Sequence, residues 1–237
     1  MDDNRLVNGL WIEGPLSRME LLTLKSFMAH GHQFILWAYG RIPTPLPEGV
    51  ELRNASEIIP PEQVFCYTKG PHPGSFAGFS DIFRYKLLYE RGGWWVDMDI
   101  TCLKPLEFCQ PYVFRRHVYA SVVGNLLKVP PRSKLMLDCY EWTREHVKAD
   151  NTDWLKPVRI LGTNIFTLHL QNYIVHTRHF TSDCDDPVRF ATTAASLDPD
   201  LYAIHWCNEW LKKLAIDKER PQEGTIYHTL LRRYGLA

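Results

Sequence analysis

An open α/β sheet flanked by helices is the architecture expected of this 237-residue chain. Short apolar runs alternate with amphipathic segments of helical period, which is the pattern of successive βα units. The run at 33–39 is continuous rather than alternating, as parallel strands buried on both faces are. Gly92-Gly93 sits at a junction where a helical stripe gives way to the run Trp94-Trp95-Val96, as glycine does at a helix C-terminus. At 45% hydrophobic the chain can bury a substantial core, and its length suits one large α/β domain or two small ones.

The elements follow in order. Leu6–Ile12 reads as the first strand. Ser17–His30 reads as a helix: Ser17 is an N-cap and Glu20, three residues on, completes a capping box. Gln33–Tyr39 is the second strand. The stretch 40–74, rich in proline and glycine, is a long connector holding one short strand, Val50–Leu52. Long ordered connectors are often functional. Ser80–Arg91 is a helix whose Ile82, Tyr85, Leu88 and Tyr89 form one apolar stripe. The next strand carries Asp97 and Asp99. Thr101–Pro111 reads as a loop, and Tyr112–Val118 and Ala120–Leu127 as strands. Ser133–Lys148 is a helix capped by Ser133, and 149–162 is a linker or loop. Asn164–Asn172 reads as a short helix after Gly162-Thr163. The last thirty residues read as helical, broken at Pro221 and Gly224.

Two constellations carry chemistry. Asp97 and Asp99 are two apart, so in a strand they project from one face, at the carboxyl end where such sheets bind ligands. Adjacent carboxylates repel, and burying them unpaired is costly. A divalent cation resolves both problems and takes a diphosphate as its other ligand. An isolated D-x-D is more often a solvated strand end. Asp81 and Arg84 are three apart on one helix face, a spacing that a plain surface ion pair also shows.

The flanks go further. Ser80, Asp81, Arg84, Tyr85, Leu88, Tyr89, Gly92, Gly93, Asp97 and Asp99 spell S-D-x-x-R-Y-x-x-L-Y-x-x-G-G-x-x-x-D-x-D. This resembles the motif of the DXD-type sugar transferases, the family 32 glycosyltransferases and their relatives, which include the glucosylating clostridial toxins. The resemblance covers residues 7 to 107 and 203–210 and is thin between them. It implies a GT-A fold: one Rossmann-like mixed sheet binding a nucleotide-sugar with a divalent metal. A single catalytic domain over 1–237 is expected, with 6–107 as the nucleotide-sugar part. The stretch 108–237 is then the acceptor side and the closing metal segment.

By the resemblance, Asp81 and Arg84 hold donor-sugar hydroxyls, Asp97 reaches ribose and sugar, and Asp99 binds the metal. Arg84, Asp97 and Asp99 are then the catalytic set. Leu10–Ser17 is similar to the family's first strand and nucleotide loop, so Trp11 is expected to stack on the base. Ala203–Trp210 is similar to the closing segment. His205 and Asn208 match late metal ligands there, and Trp210 matches a tryptophan beside the diphosphate. Read alone, Trp11 and His205 are also what ordinary core residues look like. Gly162, Thr163 and Asn164 match a glycine-centred loop on the acceptor side, and read equally well as a plain turn. Trp95 departs from the family, whose members often carry tyrosine there, so a phenol contact to the donor is lost.

The implied function is hexosyl transfer with retention, from a nucleotide-sugar to a glycan or glycolipid in bacterial surface polysaccharide or lipopolysaccharide synthesis. UDP-hexose is the expected donor. Carboxylate, amide and imidazole ligands suit Mn²⁺, with Mg²⁺ as the alternative. Two other readings compete. Asp97-Met98-Asp99-Ile100-Thr101 fits the D-x-D-x-T nucleophile motif of haloacid-dehalogenase phosphatases, with Asp183, Asp185 and Asp186 as the later acidic cluster. That reading leaves Asp81, Arg84 and His205 without a role. A non-catalytic sugar-binding module is the other, its carboxylates binding calcium.

The 27 basic and 27 acidic residues balance, which gives nucleic acid nothing to be drawn to. The six cysteines show no C-x-x-C pair and read as reduced thiols. A polar N-terminus and the lack of a long apolar run point to a cytoplasmic protein, with at most peripheral contact at the inner membrane face.

Overall fold

The computed structural model describes residues 5–117, 120–175 and 185–237. Strand β1 (Leu6–Trp11) leads to α1 (Arg18–Ala29), β2 (Gln33–Ala38) and β3 (Glu51–Asn54). Helix α2 (Ala77–Arg91) feeds β4 (Gly93–Val96), and β5 (Ile100–Cys102) follows at once. Then come β6 (Val113–His117), β7 (Ser121–Val129), α3 (Lys134–His146) and α4 (Lys156–Thr167). The chain closes with β8 (Ile174–Val175), α5 (Asp185–Thr192), β9 (Ala203–His205), α6 (Asn208–Lys213) and α7 (Ile226–Arg233).

Seven strands form one mixed sheet in the order β3-β2-β1-β4-β7-β6-β8. β2 and β4 flank β1 in parallel, and β3 extends the parallel half from β2. β7 then runs antiparallel to β4, and β6 antiparallel to β7. This is the α/β arrangement, one mixed sheet with helices on its faces, expected for a GT-A glycosyltransferase domain. The order reverses at β1, since β2 lies on one side and β4 on the other. The carboxyl ends of β1 and β4 therefore open a crevice at a switch point.

The local chemistry explains the elements that frame it. The capping box of α1 forms as expected: the Ser17 N–H donates to Glu20 Oε2 at 2.6 Å, and the Met19 N–H donates to Ser17 Oγ at 3.2 Å. The stripe of α2 packs inward, with Tyr85 and Leu88 fully buried beneath α3 and α4. Gly92 ends that helix at φ 67°, a conformation a side chain resists, and its N–H reaches Leu88 O at 2.9 Å. A Cβ there would also strike the Pro130–Pro131 backbone.

Several expectations change. β4 stops at Val96, so Asp97 and Asp99 lie in a tight turn rather than on a strand face. β5 runs from Ile100 into the first two residues of the expected loop and pairs antiparallel with β9 in a second, two-stranded sheet. The stretch 149–162 is not all linker, because α4 begins at Lys156, with Pro157 suited to a first turn. Between α6 and α7 the C-terminal stretch is turn rather than helix. Among the described residues no helix is long and apolar enough to cross a membrane. Cys66, Cys102, Cys109 and Cys139 carry free thiols.

Candidate active site

The turn after β4 and the strand β9 meet because β5 pairs with β9. Ile100 lies opposite His205, so His205 stands beside Asp99. The Trp206 N–H donates to Asp99 O at 2.9 Å, and Trp206 Nε1 donates to Thr101 Oγ1 at 2.8 Å. Trp206 is fully buried against Tyr227, which pins this junction into the core.

The outcome is one polar cluster. Asp97, Asp99 and His205 each turn one ligating atom into it, and those atoms lie within 4.8 Å of one another. His205 Nε2 is 3.5 Å from Asp99 Oδ1, and the Asn208 N–H donates to Asp99 Oδ2 at 2.9 Å. Burial pushes the Asp99 carboxyl up, but His205 and the Asn208 N–H outweigh that and hold it below the usual carboxylate range. Asn208 Oδ1 is buried with no hydrogen-bond donor. Buried amide oxygens are rarely left so. Two carboxylates and an imidazole with their ligating atoms within 4.8 Å of one another, and an orphan acceptor on the residue whose N–H holds Asp99, fit a divalent cation, so the donor set suits the expected metal.

Arg84 ties the second constellation to the first. Its Nη1 donates to Asp81 Oδ1 at 2.6 Å and its Nη2 to Asp97 Oδ1 at 2.7 Å. Asp81 and Arg84 are 7% and 4% exposed, so they are not the surface pair their spacing allows. Burial pushes the Asp81 carboxyl up to about 6, with Arg84 opposing and Asp97 adding to the rise. Burial pulls the Arg84 guanidinium down, yet Asp97 and Asp81 together hold it above its ordinary value.

Three residues matter here that the sequence reading did not single out for these roles. Trp95 Nε1 donates to Asp97 Oδ1 at 2.7 Å, and its ring lies 5.0 Å from the Arg84 guanidinium. Tryptophan at that position therefore anchors the first aspartate. Gly124 faces Arg84, and a Cβ there would collide with Nη1. Asn125, next to it on β7, takes the Asp97 N–H on its carbonyl at 2.8 Å. Its Nδ2 lies 2.9 Å from His205 Nδ1. The β4–β7 register creates all these contacts, and no sequence motif marks it. Gly124→Ala is expected to lower turnover at least tenfold, because the guanidinium must leave both carboxylates. Steady-state rates beside melting curves check this, the overpacking itself costing about 1–3 kcal/mol.

The remaining expected residues lie elsewhere. Trp11 ends β1 half-buried, with Nε1 donating to Gly14 O at 2.9 Å. Trp210, on α6, is 42% exposed, with Lys213 Nζ 5.7 Å from its ring. Gly162, Thr163 and Asn164 form no loop: they lie within α4, where Gly162 packs on β7 and Thr163 Oγ1 bonds Arg159 O at 3.0 Å. The apolar face of Val158, Leu161 and Ile165, buried along the helix, and a proline in its first turn override the turn tendency of Gly-Thr. Asp185 and Asp186 open α5, and Asp183 lies outside the described residues.

Comparisons with known proteins agree with the site. Residues 69–116 match the family model described as "Glycosyltransferase sugar-binding region containing DXD motif". Among solved structures, the chain is similar to "PaToxG Glycosyltransferase" at 11% identity and a TM-score of 0.49, over 98% of this chain and 84% of that one. No curated protein matches.

Proposed function

We propose that this chain is a DXD-type sugar transferase that moves a hexose from a nucleotide-sugar, UDP-hexose, to a hydroxyl of a glycan or glycolipid with retention. Mn²⁺ is the proposed metal, Mg²⁺ the alternative, and bacterial surface polysaccharide synthesis the proposed setting. A single catalytic domain is proposed over 1–237. The observation that carries this is the convergence of Asp97, Asp99 and His205 from two distant segments, their ligating atoms within 4.8 Å of one another. Asn208 Oδ1, buried and without a donor among the described residues, supports a further ligand from the His205 segment.

Asp99, His205 and Asn208 would hold the metal. When bound, a divalent cation supplies Lewis-acid stabilisation of charge developing on a leaving diphosphate. The side chains do the rest. Asp97 is fixed by Arg84 and Trp95 through one oxygen, which leaves its other oxygen for donor hydroxyls. Asp81 and Arg84 shape the base of the sugar pocket, orienting the ring for attack. Trp11 and Trp210 offer ring faces to base and diphosphate. Nothing in the cluster stands out as a covalent nucleophile, which favours same-face substitution assisted by the leaving phosphate. A phosphatase reading of Asp97 leaves the buried Asp81–Arg84 pair and the approach of His205 to Asp99 without a role.

Incubation with Mn²⁺, an oligosaccharide mixture and a panel of nucleotide-sugars tests the reading. Nucleotide release from a UDP-hexose, with an α-configured product from an α-configured donor, is the expected result. Glycan binding without any nucleotide release would instead support a binding module.

A further inference from the structure

Asn125 touches both halves of the candidate metal cluster, Asp97 and His205. Its carbonyl accepts the Asp97 N–H at 2.8 Å, and its side-chain amide faces His205 Nδ1 at 2.9 Å. It is only 7% exposed, on the central part of β7. Cys207 Sγ also approaches Nδ1, at 3.3 Å.

Amide nitrogen and oxygen have nearly the same shape, and which of them faces an imidazole depends on the ring tautomer. With Nδ2 facing the ring, Nδ1 must accept. The ring proton then sits on Nε2, which faces Asp99 Oδ1 at 3.5 Å. That orientation suits the metal-free cluster, since a proton lies between two groups that would otherwise present only lone pairs. It also blocks the atom a metal needs. At its other end the amide is held by nothing: Asn125 Oδ1 is buried without a donor. Among the described residues no hydrogen bond to Oδ1 has to break for the amide to make a half-turn. After that half-turn Oδ1 accepts a proton on Nδ1, and Nε2 turns a lone pair toward Asp97 and Asp99. The proton on Nε2 is thereby exchanged for one on Nδ1.

We propose that Asn125 is a positioning residue whose amide turns over when a divalent cation binds, fixing His205 with Nδ1 protonated and Nε2 as the ligating atom. This rests on the metal-dependent reading above. Partners behind ligating histidines typically change metal affinity by about 10–100-fold when removed.

The test uses the full chain, Asn125→Leu and Asn125→Asp. Mn²⁺ affinity is measured by calorimetry. The His205 tautomer is read from long-range ¹H–¹⁵N spectra, with and without Zn²⁺ as a diamagnetic probe. Expected results are a proton on Nε2 in the metal-free wild type and on Nδ1 with Zn²⁺. Asn125→Leu should bind Mn²⁺ about 10–100-fold more weakly. Asn125→Asp, whose carboxylate can only accept, should bind at least as well as wild type and hold the proton on Nδ1 even without metal. Wild-type affinity in Asn125→Leu, or a Zn²⁺-loaded His205 still protonated on Nε2, would overturn the proposal and leave the metal reading standing. A wild-type chain that binds neither ion would overturn both. If the leucine variant does not fold, the aspartate variant and the wild-type spectra decide.

Discussion

Asp99→Asn is expected to lower glycosyl transfer by roughly 1,000-fold or more, about 4 kcal/mol of barrier, with the fold intact. Asparagine keeps the size of the side chain and an oxygen for the Asn208 N–H, which reaches Asp99 Oδ2 at 2.9 Å. The contacts that pin β5 to β9, from Trp206 to Asp99 O and Thr101, involve no Asp99 side-chain atom. What is lost is the charge. A neutral amide holds a divalent cation far less firmly than a carboxylate kept ionised by its neighbours. Because the fold holds the Asp99 carboxyl below its usual range, the charged form is the one it stabilises, so losing the charge should leave the melting temperature unchanged or slightly lower. Rates with Mn²⁺, circular dichroism and melting curves check the two halves together. A fully active Asp99→Asn would remove the metal-dependent mechanism.

Substitution at Arg84 should have the second-largest effect, and it should touch stability as well as turnover. A surface pair would contribute about 0–1 kcal/mol. Arg84 is instead buried between Asp81 and Asp97, with one N–H donated to each. Removing one member of such a group strands buried charge, at about 3–5 kcal/mol. Arg84→Ala is therefore expected to lose several kcal/mol of stability and nearly all activity. Arg84→Lys separates the two roles. Lysine keeps a positive charge but not the planar fork, so it cannot span both carboxylates in the same geometry. Stability should recover in large part while turnover stays at least about 100-fold down, near 3 kcal/mol. Denaturant titration and steady-state kinetics on both variants make the comparison. A fully active lysine variant would mean that the fork's alignment of Asp97 does not matter.

The strands, the α1 capping box and the glycine stop of α2 were legible because each is written in local periodicity and capping chemistry. So was the pairing of Asp97 with Asp99, because a D-x-D keeps its two carboxylates close even when it sits in a turn. His205 was legible only through resemblance. Its approach to Asp99 depends on β5 pairing with β9 across a hundred residues, and β5 is three residues long. Strands that short leave almost no periodicity to read. The burial of Arg84 was hidden for a related reason. It requires Gly124 to face it from β7 and Trp95 to lie beside it, and both follow from sheet register. Gly162-Thr163-Asn164 misled because a turn-forming dipeptide says nothing about the helix that surrounds it. Pro157 and the apolar residues Val158, Leu161 and Ile165, buried along α4, carried the stronger instruction.

The claim that the carboxylates, His205 and a donor diphosphate share one cation is tested most directly by binding linkage. Mn²⁺ is titrated into the protein with and without saturating UDP, and UDP is titrated with and without Mn²⁺. Each ligand should tighten the other by the same factor, at least about tenfold, because coupling between two sites is reciprocal. That factor should collapse in His205→Ala. UDP binding of equal strength in EDTA and in Mn²⁺ would contradict the account.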